Sequence, residues 1–142
     1  NKRLFTYGRL DYLTQGLIII SNDGDLYNHI MHPSQRLYKS YIATIDKEIT
    51  EEHMQAMKHG VVIDGYKTAP AKVKKLSKTE VRVAIFEGKN RQIRKMFEVL
   101  GYSVKNLIRV KVGELVLGSL EVGKYRVLTK EEVEYLKSLW YI

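Results

Sequence analysis

Cysteine is absent from this 142-residue chain and proline occurs only twice. Without a thiol there is no disulfide framework, no thiolate nucleophile and no cysteine-ligated metal. No apolar run approaches the roughly 20 residues that a membrane span requires, and no signal-peptide pattern opens the chain. The expectation is therefore a cytoplasmic protein with no membrane partner. The chain opens on Asn1 instead of Met and reads as part of a longer protein. Acidic residues are also in the minority, 16 against 24 Lys+Arg, for a net charge of +8. What is present in quantity is the material of a core, with 44% hydrophobic residues. A single domain over 1–142 is the natural reading of that length.

The excess positive charge is segregated. Lys89, Arg91, Arg94, Lys95, Lys105, Arg109 and Lys111 fall in one stretch that contains only Glu98 as an acid, and Lys67, Lys72, Lys74, Lys75 and Lys78 form a second. Acids gather at 46–52 and 131–134. Such separation points to a surface that meets RNA or DNA, the bland alternative being a merely soluble basic protein.

Periodicity and turn residues predict an α+β domain whose mixed, largely antiparallel central sheet carries a few short helices. The run Leu17–Ile20, closed by Asn22-Asp23-Gly24, reads as a short strand buried on both faces. A helix is expected over Asp25–His32, stopped by Pro33. The strand Tyr38–Ile45 places Lys39, Tyr41, Ala43 and Ile45 on one face. Thr50 caps a helix that runs through Lys58 to a terminator at Gly60. Strands follow at Val61–Ile63, Ala71–Leu76 and Val81–Phe86, with 64–70 as a loop. Asn90 is expected to cap a helix that ends before Gly101, with Ile93, Met96, Phe97 and Leu100 as its apolar face. Tyr102–Val112, Leu115–Leu117 and Lys124–Leu128 read as strands, and Thr129 with Glu132 as the capping box of a last helix.

Asp11 is the residue with the most chemical interest: a carboxylate in a polar turn just before the Leu17–Ile20 strand, a common mounting for reactive groups. Read from pattern alone, it is equally a turn or capping residue. His29 and His32 lie three apart without a nearby third ligand, a poor metal site. Asp23, Asp46 and Asp64 precede Gly or Lys in polar turns and read as structural.

Four blocks carry a resemblance. Gly8-Arg9-Leu10-Asp11, with Thr14, Gly16 and Asn22-Asp23-Gly24, resembles the first motif of the RsuA-type ribosomal RNA pseudouridine synthases. Lys39-Ser40-Tyr41 is similar to their second motif. Gly88-Lys89-Asn90-Arg91-Gln92-Ile93-Arg94-Lys95-Met96, with Gly101, Leu107, Arg109 and Gly113, is similar to their third. Gly123 to Thr129 resembles the stretch that closes the domain. The likeness runs over nearly the whole chain, in the family's order and spacing. Thr6-Tyr7 departs from the Pro and aliphatic residue usual before the first block. The small S4 domain usual upstream has no room before Gly8, so the resemblance implies the catalytic domain by itself.

What the resemblance implies is isomerisation of a uridine in ribosomal RNA, without metal or cofactor, by a monomer. The N1–C1′ bond breaks, the base turns and C5 is joined to C1′. Asp11 is then the catalytic carboxylate, either attacking C1′ or taking the C2′ proton. A carboxylate in an enclosed site needs a neighbouring cation to stay ionised. Arg94, at the border of its helix's apolar face at about 100° per residue, supplies it in the third motif. Tyr41 is the candidate for stacking on an extruded uracil and for removing the C5 proton. Leu107 would pack on the other side of the base. Arg9 would fill the gap left by extrusion or contact phosphate, while Lys39, Lys89, Arg91, Lys95 and Arg109 are expected phosphate contacts. Gln92 is carried over as an RNA-binding residue with the same block. His32-Pro33-Ser34 resembles the large-subunit branch, which favours 23S over 16S RNA. Two other readings stay open: an RNA-binding module without catalysis, with Asp11 in a structural turn, and a nucleic-acid hydrolase using Asp11. The last fits poorly, because such sites assemble several carboxylates around metal.

Overall fold

The computed structural model describes residues 3–32 and 35–139. In chain order the elements are β1 (Phe5–Thr6), β2 (Thr14–Gly16), β3 (Ile20–Ser21), α1 (Gly24–Ile30), β4 (Lys39–Ile45), α2 (Glu51–His59) and β5 (Val62–Ile63). There follow β6 (Tyr66–Lys67), β7 (Lys72–Lys75), β8 (Glu80–Ile85), α3 (Gln92–Val99), β9 (Val104–Val112), β10 (Leu115–Val116) and α4 (Lys130–Ser138). Alternating Val, Ala and Ile drive the long strands together into one sheet of six, ordered β10-β9-β4-β8-β7, with β2 added in parallel alongside β9. The other pairings are antiparallel. This is the expected mixed α+β architecture.

Two hydrophobic clusters hold it. In the larger, Met54 and Met57 of α2 and Ile93, Met96 and Phe97 of α3 pack on Ala43, Ile45, Val81, Val83 and Leu107 of the sheet. In the smaller, Tyr7, Ile19, Leu26 and Ile30 meet Val112, Leu115 and Leu136. The caps at Thr50 and Gly60 are where the residues predict them, and Asp23 is structural, its side chain accepting from the Leu26 N–H at the start of α1. Gly16, at φ +130°, sits so close to β9 that a Cβ would overlap the Arg109 backbone. Only glycine permits that approach.

Several expectations are corrected. Leu17–Ile20 is not buried on both faces. Residues 17–19 form no strand, and Ile20 opens β3, which pairs antiparallel with β1 in a separate two-stranded sheet. Ile19 is buried while Ile18 and Ile20 are exposed, because so narrow a ribbon has only one face covered. The helix expected over Asp25–His32 is α1, ending at Ile30, with His32 in the turn beyond it; Pro33 lies outside the described residues. Within the loop expected over 64–70, Tyr66–Lys67 forms a strand, since Asp64 (φ 49°) and Gly65 (φ 82°) make the two-residue turn that closes a hairpin. Asn90 does not cap α3. That position belongs to Arg91, in the left-handed region at φ 48° and without a capping side chain. Lys124–Leu128 is not a strand: it pairs with no described strand, and with Tyr125 and Val127 90% and 84% exposed it has no face covered by the core.

The start of α4, just beyond that segment, is ordered by charge. The Arg126 guanidinium donates two bonds of 2.7 Å to the Glu132 carboxylate, which also accepts from the Thr129 N–H and so completes the expected capping box. These bonds, the Arg126 pair foremost, hold the Glu132 carboxyl down to about 2. A lowered native value stabilises the fold above the unfolded-state value of about 4.3, and that contribution is lost as pH falls towards 2. The difference in urea midpoint between wild type and Glu132→Gln should be constant above pH ~5 and vanish near pH 2.

Candidate active site

A cavity of about 500 Å³ opens at the seam between the two clusters. Tyr27 and Met31, packed on the smaller cluster, form one wall. Tyr41, Ile85, Ile93 and Leu107, of the larger cluster, form another. The rest is made by the loop between β1 and β2 and by the turn that enters α3.

Asp11 lies in the first of these loops. Its backbone carbonyl accepts from the Thr14 N–H at 2.9 Å, closing a tight turn in which Leu13 takes φ 69°. A leucine in that region is strained and persists only where its surroundings impose it. Arg94 is what imposes it. From α3 its Nη2 donates to the Leu13 carbonyl at 2.8 Å and, at 3.4 Å, to the Thr14 hydroxyl. The residue is only 6% exposed and its Nε has no partner. Burial first, then the charge of Arg91, lowers the Arg94 pKa, while Asp11 and Glu98 act in the opposite sense. The carboxylate of Asp11, by contrast, makes no hydrogen bond or ion pair among the described residues. Arg94 thus approaches Asp11 through the backbone of its turn and through charge, and not as a closed ion pair.

Tyr41 and Lys39 stand two apart on β4 and face this cavity together, as their alternation predicts. Burial, reinforced by Arg109 and opposed by Glu87, lowers the pKa of Lys39. Arg9 and Lys89 are exposed on the rim, Lys89 lying 5.3 Å from the centre of the Tyr66 ring. Leu107 is buried in the core and lines the cavity at once. All three residues expected to be catalytic therefore share one cavity, together with Arg9, Lys39, Lys89, Arg91, Gln92, Leu107 and Arg109.

Three of the expected RNA contacts have other work. Arg109 is 1% exposed, and its Nε and Nη1 donate to the carbonyls of Leu17 (2.8 Å) and Arg9 (3.4 Å). It holds the chain on both sides of Asp11 and is no surface phosphate contact. Gln92, 3% exposed, donates to Glu87 and accepts from the Lys89 N–H, bracing the turn into α3. Lys95 does not line the cavity and pairs with Asp64. Sequence reasoning also missed Glu87, which lines the cavity and accepts from the Ala69 N–H at 2.7 Å. Its place directly before the Gly88-Lys89 block was the available signal. Among the described residues, no group of three or more His, Asp or Glu is placed to hold a metal ion, and no helix is long and apolar enough to cross a membrane. Of the His32-Pro33-Ser34 block, Pro33 and Ser34 fall outside those residues.

The role given to Arg109 has a direct check. Arg109→Met removes bonds from a buried charged donor to two part-buried carbonyls and should cost about 2–3 kcal/mol in chemical denaturation. A phosphate contact would leave stability unchanged.

Comparison with known proteins agrees with this geometry. A family model described as RNA pseudouridylate synthase matches residues 1–99. The dual-specificity RNA pseudouridine synthase RluF of Escherichia coli (strain K12) is 43% identical over 133 residues, which cover 94% of this chain and 46% of that protein. Ribosomal large subunit pseudouridine synthase B of Bacillus subtilis (strain 168) is 38% identical over 144 residues, covering 97% and 59%. A crystal structure of a pseudouridylate synthase, 38% identical, superposes with a TM-score of 0.89 over 94% of this chain and 59% of its own. The chain spans about half the length of these curated relatives, 46% and 59%. With the match in sequence and in fold, this chain belongs to the RNA pseudouridylate synthase family.

Proposed function

We propose that this chain is the single catalytic domain of an enzyme that isomerises a uridine of ribosomal RNA to pseudouridine, the large-subunit RNA being the favoured substrate. One observation carries the reading. A carboxylate with no partner of its own, Asp11, shares a cavity of about 500 Å³ with a tyrosine and with the buried guanidinium that grips its turn. A cavity of that size takes one extruded nucleotide.

In this reading Asp11 acts on the ribose, at C1′ or at the C2′ proton, while Tyr41 stacks on the base opposite Leu107. The base separates at N1, turns and rejoins at C5; the C5 hydrogen leaves to water and N1 takes up a proton. One C–N bond is exchanged for one C–C bond within a single nucleoside, with no net oxidation and no third substrate, so no cofactor is required. Lys39, Lys89, Arg91 and Arg9 neutralise phosphates on either side of the extruded nucleotide. In this reading the enzyme acts as a monomer. A ribosomal RNA substrate implies a compartment that holds it, here the cytoplasm.

RNA transcribed with uridine tritiated at C5 reads the chemistry directly. Wild type should release tritium to water, and Asp11→Asn should lower release at least 10³-fold, of the order expected for loss of an essential catalytic group, while binding RNA as before. Equal binding with no release by wild type would leave a binding module in place of an enzyme. Arg94→Ala should depress turnover by a far larger factor than it weakens RNA affinity. A change confined to affinity and its salt dependence would make Arg94 a phosphate contact.

A further inference from the structure

We propose that the reverse face of the sheet is a second RNA-binding surface, a cation-walled trough that takes the sugar–phosphate backbone of a helical segment outside the cavity. The nature of the polyanion rests on the proposed function. The site itself rests on separate residues.

Side chains alternate along the strands, so where Lys39, Tyr41 and Ile85 face the cavity, Ser40 and Ala84 face away from it. The register sets Lys72, Ala84, Ser40 and Lys111 side by side across β7, β8, β4 and β9. Two short side chains make the floor and two lysines the walls, with three strand spacings, about 14 Å, between them. In the next row Lys74 stands directly opposite Arg82. The hollow measures about 430 Å³, and Arg36 adds a further cation at its margin.

Negative charge is scarce there. The one acid bordering the hollow is Glu114, which already pairs with Lys111 at 3.6 Å. Lys74 and Arg82 bond to no carboxylate among the described residues, and like charges face to face across a ladder repel. Protection of an open sheet edge would account for lysines on β7, the outer strand. It does not account for Arg82 and Lys111, which stand on interior strands. An external polyanion relieves the repulsion between Lys74 and Arg82.

The chemistry favours backbone over bases. Of the two tyrosines that line the hollow, Tyr135 accepts the Glu114 N–H on its hydroxyl at 3.1 Å, and Tyr38 has Lys72 over its ring at 4.2 Å and packs edge-on against Phe86 at 5.5 Å. Phe86 in turn carries Arg36 at 5.1 Å. The rings of Tyr38 and Phe86 are engaged by cations and by each other, which leaves charge as the means of recognition. Binding through charge alone is insensitive to sequence and steep in salt.

The test uses a fluorescent blunt-ended RNA duplex without unpaired uridine, so that no nucleotide is offered to the cavity. Lys74→Glu/Arg82→Glu should weaken duplex binding at least tenfold, and Lys74→Gln/Arg82→Gln should lower the slope of log affinity against log salt by about 2, roughly one for each phosphate no longer neutralised. Circular dichroism identifies a variant that fails to fold, and the glutamine pair, which removes the two charges without adding negative ones, serves should the glutamate pair do so. Photo-crosslinking of wild type to a thiouridine-substituted duplex should label the peptides spanning residues 72–84. Unchanged affinity and slope in both pairs, or crosslinks confined to the cavity rim, would overturn the proposal. So would wild-type binding to phosphatidylglycerol vesicles in place of the duplex. Duplex binding that depends on Lys74 and Arg82 in a protein without tritium release would support this surface while refuting the catalytic reading.

Discussion

Two buried guanidinium groups grip the backbone on either side of Asp11, and the rest of the site depends on that grip. Arg94, from a helix, takes the carbonyl of Leu13; Arg109, from the neighbouring strand, takes those of Arg9 and Leu17. Burying an arginine is costly unless its donors are used, and a bond from a charged donor returns about 1.5–3 kcal/mol each. Here the acceptors are main-chain carbonyls of a loop that would otherwise be poorly held. The arrangement fixes a strained turn at Leu13 and leaves the Asp11 carboxylate unspent.

The same arrangement organises charge. Lys39, Lys89, Arg91 and Arg9 line a cavity whose acids are Asp11 and Glu87. Glu87 is occupied by the Ala69 N–H and the Gln92 amide. A cavity that is cationic around one uncommitted carboxylate attracts a phosphodiester while keeping an anionic oxygen available beside the sugar. Arginine suits the two gripping positions because its planar fork serves several acceptors and its charge persists in spite of burial. A lysine would offer a point charge and would deprotonate more readily there.

Most of the frame was legible because it follows from local rules. Thr50 and the Thr129–Glu132 pair cap their helices as their local sequence predicts, and Ile93, Met96 and Phe97 mark the buried face of α3 by spacing alone. Two of the failures share a cause. Ile18 and Ile20 match a buried strand in composition, and Tyr125 and Val127 match one in pattern, yet burial depends on whether another element arrives to cover them. At the site, motif spacing collected Asp11, Tyr41 and Arg94, which the fold does bring to one cavity. Spacing does not distinguish an arginine aimed at a ligand from one aimed at a carbonyl. Arg109 and Gln92 line the cavity as their motif predicts, but spacing did not show the carbonyls that Arg109 reaches by tertiary approach or the local turn that Gln92 braces.

The grip on the loop can be measured without substrate. Native-state amide hydrogen exchange should show Thr14, whose N–H bonds to the Asp11 carbonyl, exchanging about tenfold faster or more in Arg94→Ala. Amides in the β4–β8 ladder should keep their wild-type rates. If Thr14 is as well protected in the variant as in wild type, the turn that carries Asp11 stands without the guanidinium, and the account of this site is wrong.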